Sequence, residues 1–208
     1  MVRQSRQPVP APGEDHGELV SRTAQVFFGA VTATVAGVLF GLVFAVVFAK
    51  ARHRLPGATD HARALWLAAV GFGVFVLGPA LVIPADPPAV GDPDTVTRRT
   101  LVYVLSMLVG LLVVGAVAGL DRMLRARGLP DAVRHSADLL GVVVLAAVAW
   151  CLLPASPDAV PSDVPAALIW DFRVASLLQL AAMWGVLGTA FGLLVSPRVA
   201  PDRGLVPA

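Results

Sequence analysis

The chain has 208 residues; 57% are hydrophobic and only 14% carry a charge, where an average soluble domain is about a quarter charged. That balance excludes a disordered chain, which needs low hydrophobicity and high charge, and a soluble domain, whose surface needs more charge than this. The net charge of +2 comes from basic residues scattered between apolar blocks, with no basic stripe and no aromatic interleaving, so nothing points to nucleic acid.

The expected class is therefore an all-α, polytopic integral membrane helix bundle with about five transmembrane helices. A polar tail covers residues 1–23 and lacks the early apolar core of a cleavable signal peptide. The transmembrane domain is expected over 24–196, and a C-terminal tail over 197–208. Residues 24–49 form the first span, 26 residues without a charge, which is about 39 Å of helix against a bilayer core of about 30 Å. The second span is 64–83. Pro79 lies near its end, removes a backbone donor, and should kink the helix or end it early. The third is 100–120. The fourth, 139–153, is the shortest and taken alone also suits a buried or re-entrant helix. The fifth is 174–195.

The connections alternate in character. Those after the second and fourth spans are proline-rich and acidic; those after the first and third are arginine-rich. Arg3, Arg6, Arg22, Arg98, Arg99 and Arg173 fall on one side, six basic residues against ten on the other. The positive-inside rule puts the larger set in the cytoplasm, with the N-terminus outside and the C-terminus inside. Small residues recur every fourth position in the first span, including Gly37 and Gly41, and again at Gly115/Gly119 and Gly188/Gly192. This pattern lets helix backbones approach closely, within one chain or in a homo-oligomer.

No span contains Asp, Glu, Lys, Arg or His, which argues against a proton relay or a carboxylate cage at mid-membrane. Gln25, Thr32, Thr34, Ser106, Gln179 and Thr189 read as helix–helix hydrogen-bonding groups. Cys151 is the single cysteine, so there is neither an intrachain disulfide nor a Cys-based zinc pattern. Without a hydrolase elbow, P-loop or HExxH motif, no catalytic residue and no resident cofactor is expected. Binding candidates lie at the membrane surface. Glu14, Asp15 and His16 offer oxygen and nitrogen donors suited to a borderline divalent ion, and Asp86, Asp92 and Asp94 add carboxylates in the first proline-rich loop. His53, His61 and His135 sit among arginines that would repel a cation. The two proline-rich loops are expected to form one structured cap. In it Asp94 or Thr95 caps the third helix, Asp171 pairs with Arg98 or Arg99, and Trp170 and Phe172 anchor at headgroup level.

Two stretches carry a family resemblance. GPALVIPADPPAVGDPDTVTRRTLVY, residues 78–103, and LPASPDAVPSDVPAALIWDFRVASLLQLAAMW, residues 152–184, resemble the CbtA family of probable cobalt-transporter subunits. The second holds the Trp170, Phe172, Arg173 and Ser176 pattern at the start of the last span. EDHGELVSRTAQ is similar to the family's stretch between its first span and the next. The resemblance covers residues 14–196. It implies an integral membrane subunit of a cobalt or other divalent-metal transporter, in contact with lipid and with a small CbtB-like membrane subunit. The alternative is a scaffold or accessory subunit with no ion path of its own. The family's usual first span and histidine-rich stretch are represented here by His16 alone, and an outside N-terminus agrees with a six-span ancestor that begins inside.

Overall fold

The computed structural model describes residues 21–87, 90, 93–156 and 164–196. Among the described residues it is all-α, and five helices are long and apolar enough to cross a membrane. Two units are distinguished, Met1–Val47 and Phe48–Ala208. The first is represented by most of α1, Arg22–Ala51, a helix of 30 residues and thus about 45 Å. The second contains α2, Asp60–Phe72; a π-helical turn, Gly73–Leu77; α3, Gly78–Val82; α4, Val96–Ala126; α5, Asp131–Leu152; and α6, Ala166–Val195.

The helices run past their apolar blocks because the flanking residues are themselves good helix formers. α4 continues beyond Leu120 through Asp121 and Arg125, an i,i+4 ion pair at 2.9 Å. It then stops at Gly128, whose φ of +72° suits glycine. There Gly128 N–H donates to the Arg125 carbonyl and Leu129 N–H to Leu124, the paired bonds of a Schellman ending. Pro130 precedes α5, and Asp131 places a negative charge in its first turn. The shortest apolar block therefore belongs to a helix of 22 residues, about 33 Å and long enough to span. α6 starts at Ala166, so Trp170, Asp171, Phe172 and Arg173 are already helical.

Within the second unit α2 packs antiparallel to α6, and α4 antiparallel to α5. The first pairing sets His61 beside Gly192, Ala64 and Ala68 beside Gly188, and Gly71 beside Trp184. The second sets Asp121 beside Arg134 and Leu120 beside Gly141. Most other large apolar side chains of these helices are exposed, as lipid-facing surfaces are.

Pro79 does not end the second spanning helix. Three further residues, to Val82, stay helical, and the disturbance is taken up by the π turn just before the proline. Thr95 precedes α4 but makes no side-chain cap; a 3₁₀ turn, Pro93–Thr95, leads into the helix instead.

Candidate functional site

Three polar constellations and one backbone irregularity carry whatever chemistry the described residues offer. The irregularity lies in the second spanning helix. Gly78 N–H reaches back five residues to the Gly73 carbonyl. Pro79 has no N–H, so the carbonyls of this joint are one donor short. Tyr103, on α4, fills the gap: its hydroxyl donates to the Phe75 carbonyl at 3.1 Å. One turn along the same face of α4, buried Ser106 donates to the Tyr103 carbonyl at 2.7 Å. Further along, Gly110 lets Val74 approach so closely that a Cβ would meet its Cγ1 at 3.3 Å. Across the joint, the Phe75 ring stacks on Trp184 of α6 with centroids 6.3 Å apart.

The α2–α6 seam depends on absent side chains. A Cβ at Gly188 would fall 2.6 Å from the Ala68 Cβ, and one at Gly192 would fall 2.6 Å from the His61 Nδ1. The glycine pair of the last span thus serves packing within the chain. At Gly115 and Gly119 of α4, and at Gly37 and Gly41 of α1, a Cβ would meet nothing within 4 Å.

Two of the polar constellations close the arginine-rich connections. Asp60, in the first turn of α2, accepts from Arg52 Nε at 2.8 Å and from Arg63 at 3.1 Å, while Thr59 caps the helix through Ala62 N–H. Arg134 is buried, with 7% of its surface exposed, and is the one buried residue of α5. It donates from Nε to Asp121 at 2.9 Å and also bonds Asp131, while Arg125 holds the other oxygen of Asp121. The second cluster balances two arginines with two carboxylates, while the first sets one carboxylate between two arginines.

The third constellation ties the first proline-rich loop to α6. Arg173 donates from Nε to the Ala85 carbonyl at 3.2 Å and from a terminal nitrogen to Asp86 at 2.7 Å. Asp86 therefore already has a cation against it. Asp171 is exposed; an ion pair that ties the loop to α6 is Arg173–Asp86. Trp170 is exposed, and Arg98 is exposed in the first turn of α4. Asp94 is exposed, while Glu14, Asp15, His16 and Asp92 lie outside the described residues. Among the described residues no three His, Cys, Asp or Glu side chains converge to hold a metal ion.

Sequence reasoning missed Tyr103 and Arg134. The signal for Tyr103 was the carbonyl four residues before Pro79, which had to find a donor elsewhere. The signal for Arg134 was the spacing of Asp121, Arg125, Asp131 and Arg134 at helical intervals on either side of a glycine turn.

A family model described as "Probable cobalt transporter subunit (CbtA)" matches residues 3–196. No curated protein and no solved structure matches the chain.

Proposed function

The chain belongs to the CbtA family, and from that premise we propose that it is the integral membrane subunit of a transporter for cobalt or a related divalent ion. The observation that carries this reading is the family match across nearly the whole chain, joined to five helices of spanning length. The protein is not an enzyme on this reading, and the metal is cargo. The N-terminus faces outward and the C-terminus the cytoplasm, because the arginine-rich connections belong inside. Asp92, Asp94 and the Glu14–Asp15–His16 segment are the outer donors an entering cation meets first. Asp86 and Asp94 both have partners to exchange, Arg173 in the case of Asp86.

A second reading is favoured by a specific observation. The apolar blocks of the spans lack Asp, Glu, Lys, Arg and His, and among the described residues no three metal-ligating side chains come together. A subunit of this kind supplies a frame, and the ion path is completed at an interface with a small CbtB-like subunit or a second copy. The open glycine faces at Gly37/Gly41 and Gly115/Gly119 suit such a helix neighbour.

Uptake of radioactive cobalt distinguishes the readings. Cells carrying this chain alone, the small subunit alone, or both are compared with cells carrying neither. Uptake with the chain alone gives it an ion path of its own; uptake only with both makes it the frame. Equal uptake in all four strains removes the transport reading. In the same cells a single cysteine at Ala126 should resist an impermeant outside reagent, and ready labelling would reverse the orientation.

A further inference from the structure

The second spanning helix contacts α6 in two unlike ways. Its inner half, Asp60–Phe72, is seated through Gly71 under the Trp184 ring, Gly188 against Ala64 and Ala68, and Gly192 against His61, where no room is left for a Cβ. Beyond the π turn that close packing ends. The outer half, Gly78–Val82, lies on α4 with Pro79 fully buried; the π turn and the loop behind that half are held by the ring stack of Phe75 on Trp184, the Tyr103 hydroxyl on the Phe75 carbonyl, and the Arg173–Asp86 pair. These last are discrete directional contacts that break and re-form one at a time. Gly73 and Gly78 bracket the turn, and a Cβ at Gly73 would meet nothing within 4 Å, so the joint is unobstructed on that side.

We propose that this helix is a two-segment rod, with its inner half fixed to α6 and its outer half swinging at Gly73–Gly78, and that the Tyr103 hydroxyl is the latch that holds the joint closed. The reasoning is one of hydrogen-bond supply. In lipid a carbonyl without a donor is costly, and water is not at hand to replace one. Pro79 creates the shortage, and Tyr103 relieves it from a neighbouring helix. The joint is therefore stable only while α4 and the π segment stay in register. Any movement that draws Tyr103 away removes the donor from the Phe75 carbonyl and loosens the joint, while Arg173 still holds Asp86. Tyr103 is the chain's single tyrosine, and it stands where its hydroxyl reaches the proline-disturbed stretch. The inference needs no assumption about what, if anything, is transported.

The test uses the full chain in lipid nanodiscs, with Cys151→Ser and two spin-label pairs measured by double electron–electron resonance. Labels at Leu81 and Leu178 report the outer half; labels at Trp66 and Leu193 report the inner half. Tyr103→Phe should raise the open population at the outer pair about three- to fivefold, the scale of one interhelical hydrogen bond, and leave the inner pair unchanged. Adding Pro79→Ala restores the missing N–H and should return the outer pair to the parent distribution. An unchanged outer pair in Tyr103→Phe overturns the latch, as does equal broadening at both pairs or broadening that survives Pro79→Ala. Should Tyr103→Phe reconstitute poorly, recovery of yield on adding Pro79→Ala supports the latch, and failure to recover overturns it.

Discussion

The α2–α6 seam and the α4–α5 hairpin are both antiparallel helix pairs in one unit, yet opposite devices hold them. Along the seam the fastening lies at the glycines, where Gly188 and Gly192 let the α2 backbone approach and Gly71 accommodates the Trp184 ring. In the hairpin it lies at the polar end, where Arg134 is locked between Asp121 and Asp131. Along the apolar length of the hairpin, Gly141 meets Leu120 and Val117 only at ordinary contact distance. The difference follows from the solvent. Lipid gives no hydrophobic reward for pairing two apolar helices, so each pair needs either close van der Waals fit or a polar tie. A close seam has no alternative arrangement; a hairpin tied at one end leaves its far length free to accept a neighbour.

The largest expected effect tests the seam. Gly188→Leu forces a branched side chain into space already filled by Ala64, Leu65 and Ala68, and overpacking of this kind costs about 3 kcal/mol or prevents folding. Gly119→Leu, on the open face of α4, should leave the thermal unfolding of the detergent-solubilised monomer unchanged. Equal losses from the two substitutions, measured by the same melt, would erase the distinction between a filled and an open glycine face.

How far the sequence revealed these devices depends on the kind of contact. The spanning helices were legible, because runs such as 24–49 and 100–120 have no other stable form in lipid. The glycine pair at 188 and 192 was legible as a close-packing motif, but nothing in it distinguished the filled pair from the open pair at 115 and 119. Spacing alone does not say which helix lies opposite. The anchoring arginine was read at Arg98 or Arg99, with Asp171 as its partner; the structure shows a tie of Arg173 with Asp86. Both choices pair an arginine at one helix start with a carboxylate across the same two connections. Selecting between them needs the rotation of α6, which sets Arg173 and not Asp171 toward the loop. For the metal donors, Asp86 is committed to an arginine, and a sequence pattern does not show which carboxylates are already neutralised.

A smaller effect should come from the hairpin. Arg134→Gln removes a guanidinium that serves two carboxylates and leaves Asp121 with Arg125 alone. Loss of these charge-assisted bonds should lower stability, by less than the overpacking at Gly188. Asp121→Asn combined with Arg134→Gln should cost less than the sum of the two single changes, since partners in one network are not independent. Additive losses in chemical unfolding would mean that the hairpin is held by its apolar contacts after all, and the contrast with the seam would fail.

The smallest effect concerns the tie at the opposite end of the α2–α6 pair, where close packing has given way to one ion pair. The Asp86 side chain is 9% exposed and that of Arg173 is 30% exposed, so the pair is partly shielded and not fully dry. Its coupling should be about 1 kcal/mol, between a surface pair and a buried one. Arg173 has a second attachment, the Ala85 carbonyl, which Asp86→Asn leaves intact. Arg173→Gln should therefore destabilise more than Asp86→Asn, and the double variant should resemble Arg173→Gln alone. Asp171→Asn supplies the contrast within the same helical turn: its side chain is exposed, and the change should stay within about 0.5 kcal/mol. These values come from a double-mutant cycle on thermal or chemical unfolding. A larger loss from Asp171→Asn than from Asp86→Asn would assign the tie to the wrong carboxylate. It would also free Asp86 to meet an incoming cation without first displacing Arg173.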